Sequence, residues 1–194
     1  FKFHMSEGGL RVPLIMSGPG INKGKNHNFA FVTDIAATIS DIVFDEVDER
    51  IIGKSLQNSL AGSNENNYED FEAVGLEVTG NSALFKGNYK IVRNRPPNGS
   101  NQWELYNLHE DPGETQDLSK IMPDKLFELI EDYDQYAQIN GVIELPLDYQ
   151  WAEEMTVNTF KRNYLPLLLR AVSVIALTVF VVIYLRRRWK KTQN

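Results

Sequence analysis

The N-terminal stretch FKFHMSEGGLRVP gathers side chains that can do chemistry around a pair of glycines. Lys2 carries an ammonium group that can bind an anion, although a lysine beside glycines is also commonly just solvated. Glu7 and Arg11 flank the Gly8-Gly9 turn, and we expect their side chains to pair with each other or with the backbone of that turn. His4 has no carboxylate or second histidine at a metal-ligand spacing, which favours a surface or packing role.

The rest of the sequence excludes several kinds of site. It contains no cysteine, which excludes disulfides, thiolate metal sites and a cysteine nucleophile within this stretch. Residues 1–160 carry 12 Lys and Arg against all 26 Asp and Glu, whereas residues 161–194 carry 8 Lys and Arg and no acid. An acidic body argues against nucleic acid as a partner, because binding to phosphates requires a basic surface.

The first elements that must position the N-terminal stretch are a strand and a helix. The apolar run VPLIM at residues 12–16 ends at the turn signal SGPG, which predicts a buried strand. In FVTDIAATISDIVF the apolar residues recur on one helical face: Ile35, Ile39, Ile42 and Val43. A strand followed by a helix is typical of the last unit of an α/β domain. We therefore assign residues 1–45 to the end of such a domain and the polar residues 46–72 to an exposed connection.

Residues 73–140 show a different pattern, which predicts a small antiparallel sheet with one helix. The runs AVGLEV, SALFK, YKIVR and WELYNL are short and rich in strand-forming residues, and Gly87-Asn88 is a two-residue hairpin signal. EDPGE at 110–114 predicts a turn. From Pro123 until Gly141, apolar residues recur at helical spacing: Leu126, Leu129, Ile130, Tyr133 and Ala137. Residues 141–164 follow as a spacer.

The C-terminal tail has the composition of a membrane anchor. Residues 165–185 read LPLLLRAVSVIALTVFVVIYL, and at about 1.5 Å per residue they match the ~30 Å hydrocarbon core of a bilayer. Pro166 is expected in the first turn of this helix, and Arg170 near enough to its end to reach the interface. A buried core helix is the alternative. Because five basic residues follow the span and only two precede it closely, we expect residues 186–194 in the cytoplasm and the body outside it.

Several motifs together resemble one enzyme family. In chain order they are KFHMSEGGLRVPLIMSGPG, VTDIAATISDI, GKSL, VGLEVTGNSALFKGNYKIVRN and WELYNLHEDPGETQDLS. With this order and spacing, residues 2 to about 145 resemble the C-terminal half of the sulfatase family, most closely bacterial arylsulfatases. The resemblance implies the end of an alkaline-phosphatase-like α/β domain followed by a small antiparallel sheet and helix. With the tail, the expected fold class is α/β, then this subdomain, then one transmembrane helix.

The resemblance also implies a chemistry and a role for one residue of this chain. Sulfatases cleave sulfate esters with a formylglycine made from the Cys or Ser of a Cys/Ser-x-Pro-x-Arg motif, and with a calcium ion that polarises the sulfate. Lys2, five residues before the glutamate of Glu-Gly-Gly, matches a sulfate-binding lysine, whose charge would compensate the charge that builds on the sulfuryl oxygens. The nucleophile motif and the calcium ligands are not in this sequence, so we expect the chain to be the C-terminal part of a longer enzyme.

Three functions are therefore open. The leading one is a membrane-anchored arylsulfatase-type hydrolase that acts on a small-molecule sulfate ester and contacts the lipid bilayer through residues 165–185. A phosphodiesterase or phosphonate monoester hydrolase of the same superfamily is the second, because the C-terminal motifs discriminate poorly between sulfuryl and phosphoryl substrates. The third is a non-catalytic, membrane-tethered protein that keeps the fold without the chemistry. The nucleophile motif would separate them.

Overall fold

A computed structural model describes residues 3–146 and 148–191 of the chain. Contacts divide the chain into two units, Phe1–Glu144 and Leu145–Asn194. The helices, in chain order, are α1 (Glu7–Leu10), α2 (Val32–Phe44), α3 (Gln57–Leu60), α4 (Pro123–Asn140), α5 (Trp151–Thr159), a π-helix (Phe160–Tyr164) and α6 (Leu165–Lys191). The strands are β1 (Ala73–Val78), β2 (Asn81–Lys86), β3 (Tyr89–Arg93) and β4 (Glu104–Asn107).

The four strands form one antiparallel sheet in the order β1-β2-β3-β4, which confirms the small sheet expected from the sequence. Gly87-Asn88 connects β2 and β3 as predicted, with Lys86 paired with Tyr89 on either side of the turn. The hairpin between β1 and β2 turns at Thr79-Gly80, where both residues have positive φ (53° and 81°). Positive φ at both positions is the geometry of a type I′ turn, whose twist suits a two-residue hairpin.

One face of the sheet packs against α4. Leu84, Ile91 and Leu105 from the strands form a buried cluster with Leu129 and Tyr133 from the helix. The helix approaches β1 closely because Gly75 has no side chain there; a Cβ at this position would lie 2.4 Å from Cδ1 of Tyr136. Pro123 begins the helix and Gly141, at φ 64°, ends it, so the predicted helical spacing and its limits are confirmed.

The N-terminal segment covers the other face of the sheet. Ala83 and Val92 alternate along their strands with the residues that face α4, as the two-residue period of a strand requires. Together with Tyr106 they enclose the side chain of Met5, which is completely buried. The sheet therefore lies between α4 and the segment that directly follows Lys2.

One prediction for residues 1–45 is wrong, and another is confirmed with its apolar face exposed. Residues 12–16 do not form the predicted buried strand, and Ile15 is 88% exposed. Within residues 3–146 and 148–191 the only strands are β1 to β4, which pair with one another. The run at residues 12–16 therefore has no strand to pair with in this part of the chain. Helix α2 forms as predicted, but its apolar face is uncovered: Ile39, Ile42 and Val43 are more than half exposed, while the buried residues on α2 are Asp34, Ala37 and Thr38.

The second unit contains a continuous helical stretch from Trp151 to Lys191, which includes the predicted membrane span. Residues 153–189 are, among the described residues, the one helical stretch long and apolar enough to cross a membrane. The helix does not begin at Leu165 as expected, so Pro166 lies in its interior rather than in a first turn. A proline ring clashes with the carbonyl four residues earlier. The π-helix directly before Pro166, where the Leu165 N–H bonds to the Phe160 carbonyl, widens the backbone at that point.

Candidate functional site

The segment that follows Lys2 is fastened to the sheet by two asparagines. Asn81, the first residue of β2, donates from Nδ2 to the Phe3 carbonyl at 2.7 Å, and its Oδ1 accepts from the Arg95 N–H at 2.7 Å. Asn94, directly after β3, accepts the Met5 N–H at 3.0 Å. Side-chain amides thus replace the strand partner that this irregular segment lacks. They hold its backbone against the end of the sheet.

A buried ion triad fastens the same segment at Glu7. The Lys90 ammonium is completely buried and donates to Glu7 at 2.8 Å and to Glu114 at 2.7 Å. The second oxygen of Glu114 accepts the backbone N–H of Glu7 at 2.7 Å. The sequence left two partners open for the Glu7 side chain, Arg11 or the backbone of the Gly8-Gly9 turn. Its ion-pair partner is instead Lys90, 83 residues further along the chain, and Arg11 is exposed.

A second polar cluster joins α2 to the GKSL segment at residues 53–56. The buried Asp34 carboxylate accepts hydrogen bonds from the N–H groups of Phe31 and Lys54 and from the Tyr68 hydroxyl. Burial, and then this hydrogen bond to Asp34, raise the pKa of Tyr68, so the hydroxyl remains a donor. Thr38 Oγ1 accepts the Leu56 N–H at 2.9 Å. With every oxygen of Asp34 engaged, this cluster is structural.

Glycine is required where GKSL meets α2. A Cβ on Gly53 would lie 2.3 Å from the carbonyl carbon and oxygen of Thr33, so no larger residue fits without moving the backbone. Beside it, the Lys54 ammonium lies 5.0 Å from the centre of the Tyr68 ring and pairs with Glu72. That pairing lowers the pKa of Glu72. Two motifs that are separate in the sequence, VTDIAATISDI and GKSL, thus form one unit.

The residues singled out in the sequence are not brought into one metal site. Lys2 lies outside the described residues. His4 is partly buried, whereas the other two histidines of the sequence, His27 and His109, are exposed and lie in separate loops. Among residues 3–146 and 148–191, no group of three or more His, Asp or Glu side chains is arranged to hold a metal ion. The carboxylates next to the N-terminal segment already bind Lys90, so the donors present here do not fit the calcium ion of the sulfatases.

Sequence reasoning missed the residues that hold the N-terminal segment: Asn81, Lys90, Asn94 and Glu114. One signal for Lys90 was available. In YKIVR it occupies a position on the same side of the strand as Val92, where an apolar residue is expected if that face is covered. A lysine at a covered position needs a carboxylate partner, but nothing local says which of the 26 acidic residues supplies it.

Comparisons with known proteins identify a family. Residues 1–137 match the family model for the C-terminal part of N-sulphoglucosamine sulphohydrolase. The chain is 34% identical, over 76% of its length and 28% of the other chain, to an uncharacterized sulfatase of Schizosaccharomyces pombe. It is 26% identical, over 66% of its length and 26% of the other chain, to arylsulfatase K of Xenopus laevis. The chain thus spans about a quarter of the length of these curated relatives.

A solved structure has the same fold. A putative sulfatase from Bacteroides thetaiotaomicron superimposes with a TM-score of 0.51 and 23% identity, over 70% of this chain and 32% of that one. At this identity the likeness concerns the backbone fold. It agrees with the antiparallel four-stranded sheet and α4 described above.

Proposed function

The chain belongs to the sulfatase family, as the C-terminal part of a sulfatase, and from this premise we propose that it acts in a membrane-anchored, arylsulfatase-type sulfuric ester hydrolase. The observation that carries the proposal is the fastening of Phe3, Met5 and Glu7 to the sheet. A segment that carries a sulfate-binding lysine must be held rigidly, because a charged group helps a reaction only when it is already in place. The small subdomain supplies that support for the family signature that begins at Lys2.

In this function Lys2 binds the sulfate of a small-molecule sulfate ester. Its ammonium compensates the negative charge that builds on the sulfuryl oxygens as the ester bond breaks. The formylglycine nucleophile and the calcium ion of the complete enzyme belong to parts of the protein other than the residues described here. What this chain contributes is therefore one cation and the scaffold that orients it.

The exposed apolar surface of residues 1–45 fits the same function. The uncovered face of α2, with Ile39, Ile42 and Val43, and the exposed run 12–16 would pack against the remainder of an alkaline-phosphatase-like α/β domain. Surfaces of this kind are unfavourable in water unless another element covers them.

The test is hydrolysis by the complete protein of a chromogenic aryl sulfate, an aryl phosphate diester and an aryl phosphonate monoester, each at equal concentration. We expect the sulfate to have the highest kcat/KM. If either phosphorus ester has a higher kcat/KM than the sulfate, the protein is a phosphodiesterase or a phosphonate monoester hydrolase. No turnover of any of the three, by folded protein, would favour a non-catalytic, membrane-tethered role.

Membrane attachment gives a separate prediction. We expect residues 165–185 to cross the bilayer once, with Arg186–Lys191 in the cytoplasm and the hydrolase outside it. The length of the apolar stretch and the excess of five basic residues over two at its ends favour this direction. In sealed cells or spheroplasts, external protease should digest residues 1–160 and leave a tag after Asn194 intact. If the tag is cleaved and residues 1–160 are protected, the orientation is the opposite of the one expected. If salt washing releases the protein from the membrane, residues 165–185 do not span it.

A further inference from the structure

The ion triad of Glu7, Lys90 and Glu114 is an unusual way to hold a loop. Lys90 is 0% exposed and the side chains of Glu7 and Glu114 are 14% and 6% exposed, so all three charges are largely removed from water. Desolvation makes such a cluster a poor source of stability, and apolar residues of similar volume often serve at least as well. A buried ammonium between two carboxylates does, however, allow few alternative arrangements, since any other leaves a charge without a partner.

The anchor points recur at every second residue of the segment after Lys2. They are the Phe3 carbonyl, the Met5 N–H, and the N–H and carboxylate of Glu7. The first lies in the residue next to Lys2, and at Glu7 the anchor is an ion pair with Lys90. The partners are Asn81 at the start of β2, Lys90 near the start of β3, Asn94 directly after β3, and Glu114 in the turn after β4. The backbone position of the segment thus depends on β2, on β3 and on the turn after β4.

We propose that Lys90 is a positioning residue for Lys2: its ion pairs with Glu7 and Glu114 fix the segment Phe3–Glu7 on the sheet, and so fix where the Lys2 ammonium meets the sulfate. The inference rests on the proposed function of Lys2. Lys90 itself touches no substrate and acts only through the backbone of the segment. Its removal should therefore displace a catalytic charge while the sulfatase fold remains.

The first test concerns anchoring alone and uses the complete protein in detergent micelles. Lys90→Met keeps the length of the side chain and removes the charge, and Glu114→Gln keeps an oxygen that can accept the Glu7 N–H. We expect hydrogen exchange at the amides of Met5 and Glu7 to become roughly tenfold faster in both variants, because without the ion pairs the segment separates from the sheet more often and exposes these N–H groups to water. Amides of β2 and β3 should keep their protection. Unchanged exchange at Met5 and Glu7 in both variants would overturn the inference.

Leu129→Ala is the matched control for loss of stability. Leu129 lies in the cluster between the sheet and α4, on the face away from the N-terminal segment. This variant should lower Tm and accelerate exchange of the sheet amides, as a cavity in the core does. If it accelerates exchange at Met5 and Glu7 as much as Lys90→Met at equal loss of Tm, the triad has no specific anchoring role and the inference is wrong.

The second test is a double-mutant cycle in the complete enzyme, with Lys2→Ala, Lys90→Met and the pair, assayed with a chromogenic aryl sulfate. We expect Lys90→Met to lower kcat/KM by about 10²-fold, the scale of a misplaced catalytic group. In the Lys2→Ala background it should have at most a roughly threefold further effect, because the group that it positions is already absent. At assay temperatures below the Tm of the Leu129→Ala variant, its kcat/KM should stay within about threefold of that of the unmodified enzyme.

The outcomes of the cycle are distinguishable. Suppose that Lys2→Ala lowers kcat/KM as expected, and that Lys90→Met lowers kcat/KM by the same factor with and without Lys2. This result would overturn the positioning role and leave the proposed function intact. Near-normal activity of Lys2→Ala would overturn the proposed function of Lys2, and with it this inference, whatever the exchange experiment shows about anchoring. A large, non-additive loss from Lys90→Met together with faster exchange at Met5 and Glu7 would support it.

Discussion

Replacing Lys2 with alanine in the complete enzyme is expected to lower kcat/KM for an aryl sulfate by roughly 10²–10³-fold, the scale seen when one charge-stabilising group is removed from an active site. In the role proposed for Lys2, the ammonium favours the transition state over the bound ester, because negative charge on the sulfuryl oxygens grows as the ester bond breaks. The loss should therefore be large in kcat as well as in kcat/KM.

The measurement is steady-state kinetics on purified complete enzyme, with Tm recorded for each variant. Lys25→Ala is the matched control, because Lys25 is an exposed lysine in the same part of the chain, and its removal should change kcat/KM by less than about twofold. Tm should be nearly unchanged in both. Turnover close to that of the unmodified enzyme in Lys2→Ala would show that the family role has been assigned to the wrong residue.

The 194-residue chain by itself is expected to hydrolyse no sulfate ester. It contains no cysteine, and none of its serines begins a Ser-x-Pro-x-Arg motif; the nearest, Ser17-Gly-Pro-Gly-Ile21, lacks the arginine and is a turn. The described residues contain no cluster of ligands for a metal ion. A single lysine can bind an anion, but it supplies neither a nucleophile nor the polarisation that breaks the ester bond.

This prediction is checked with the purified chain in detergent and a fluorogenic aryl sulfate, against a sample without protein and against the complete enzyme at equal concentration. Circular dichroism should show that the sheet and helices are present, so that absence of turnover reflects chemistry and not unfolding. Reproducible turnover by the folded chain above the sample without protein would require a nucleophile within these 194 residues. The assignment to the sulfatase reaction would then have to be revised.

Local signals in the sequence predicted the small subdomain well. The helical spacing from Leu126 to Ala137 marks the face of α4 that packs on the sheet, and Pro123 and Gly141 mark its ends. Gly87-Asn88 marks a hairpin. Each of these signals depends only on residues that are close in the sequence, because neighbours in sequence set the backbone conformation and the periodicity of the side chains.

The same kind of signal was misleading where burial depends on a distant partner. The apolar pattern of α2 correctly predicts a helix, yet the face that it buries is the one with Asp34 and Thr38, which bind the GKSL segment. Residues 12–16 have the composition of a buried strand but no strand to pair with among the described residues. Periodicity indicates which side of an element is apolar. Whether that side is covered depends on what else packs there.

The sequence by itself determined the family and the order of the elements in the small subdomain, and it predicts a sulfate-binding role for Lys2 that stays a prediction. Only the tertiary structure decided how that segment is held. Glu7 meets Lys90 across 83 residues and Glu114 across 107, and these partners are chosen by the order of the strands and by the alternation of their faces. A buried lysine requires a carboxylate wherever it lies, but only the folded sheet determines which two carboxylates can reach it.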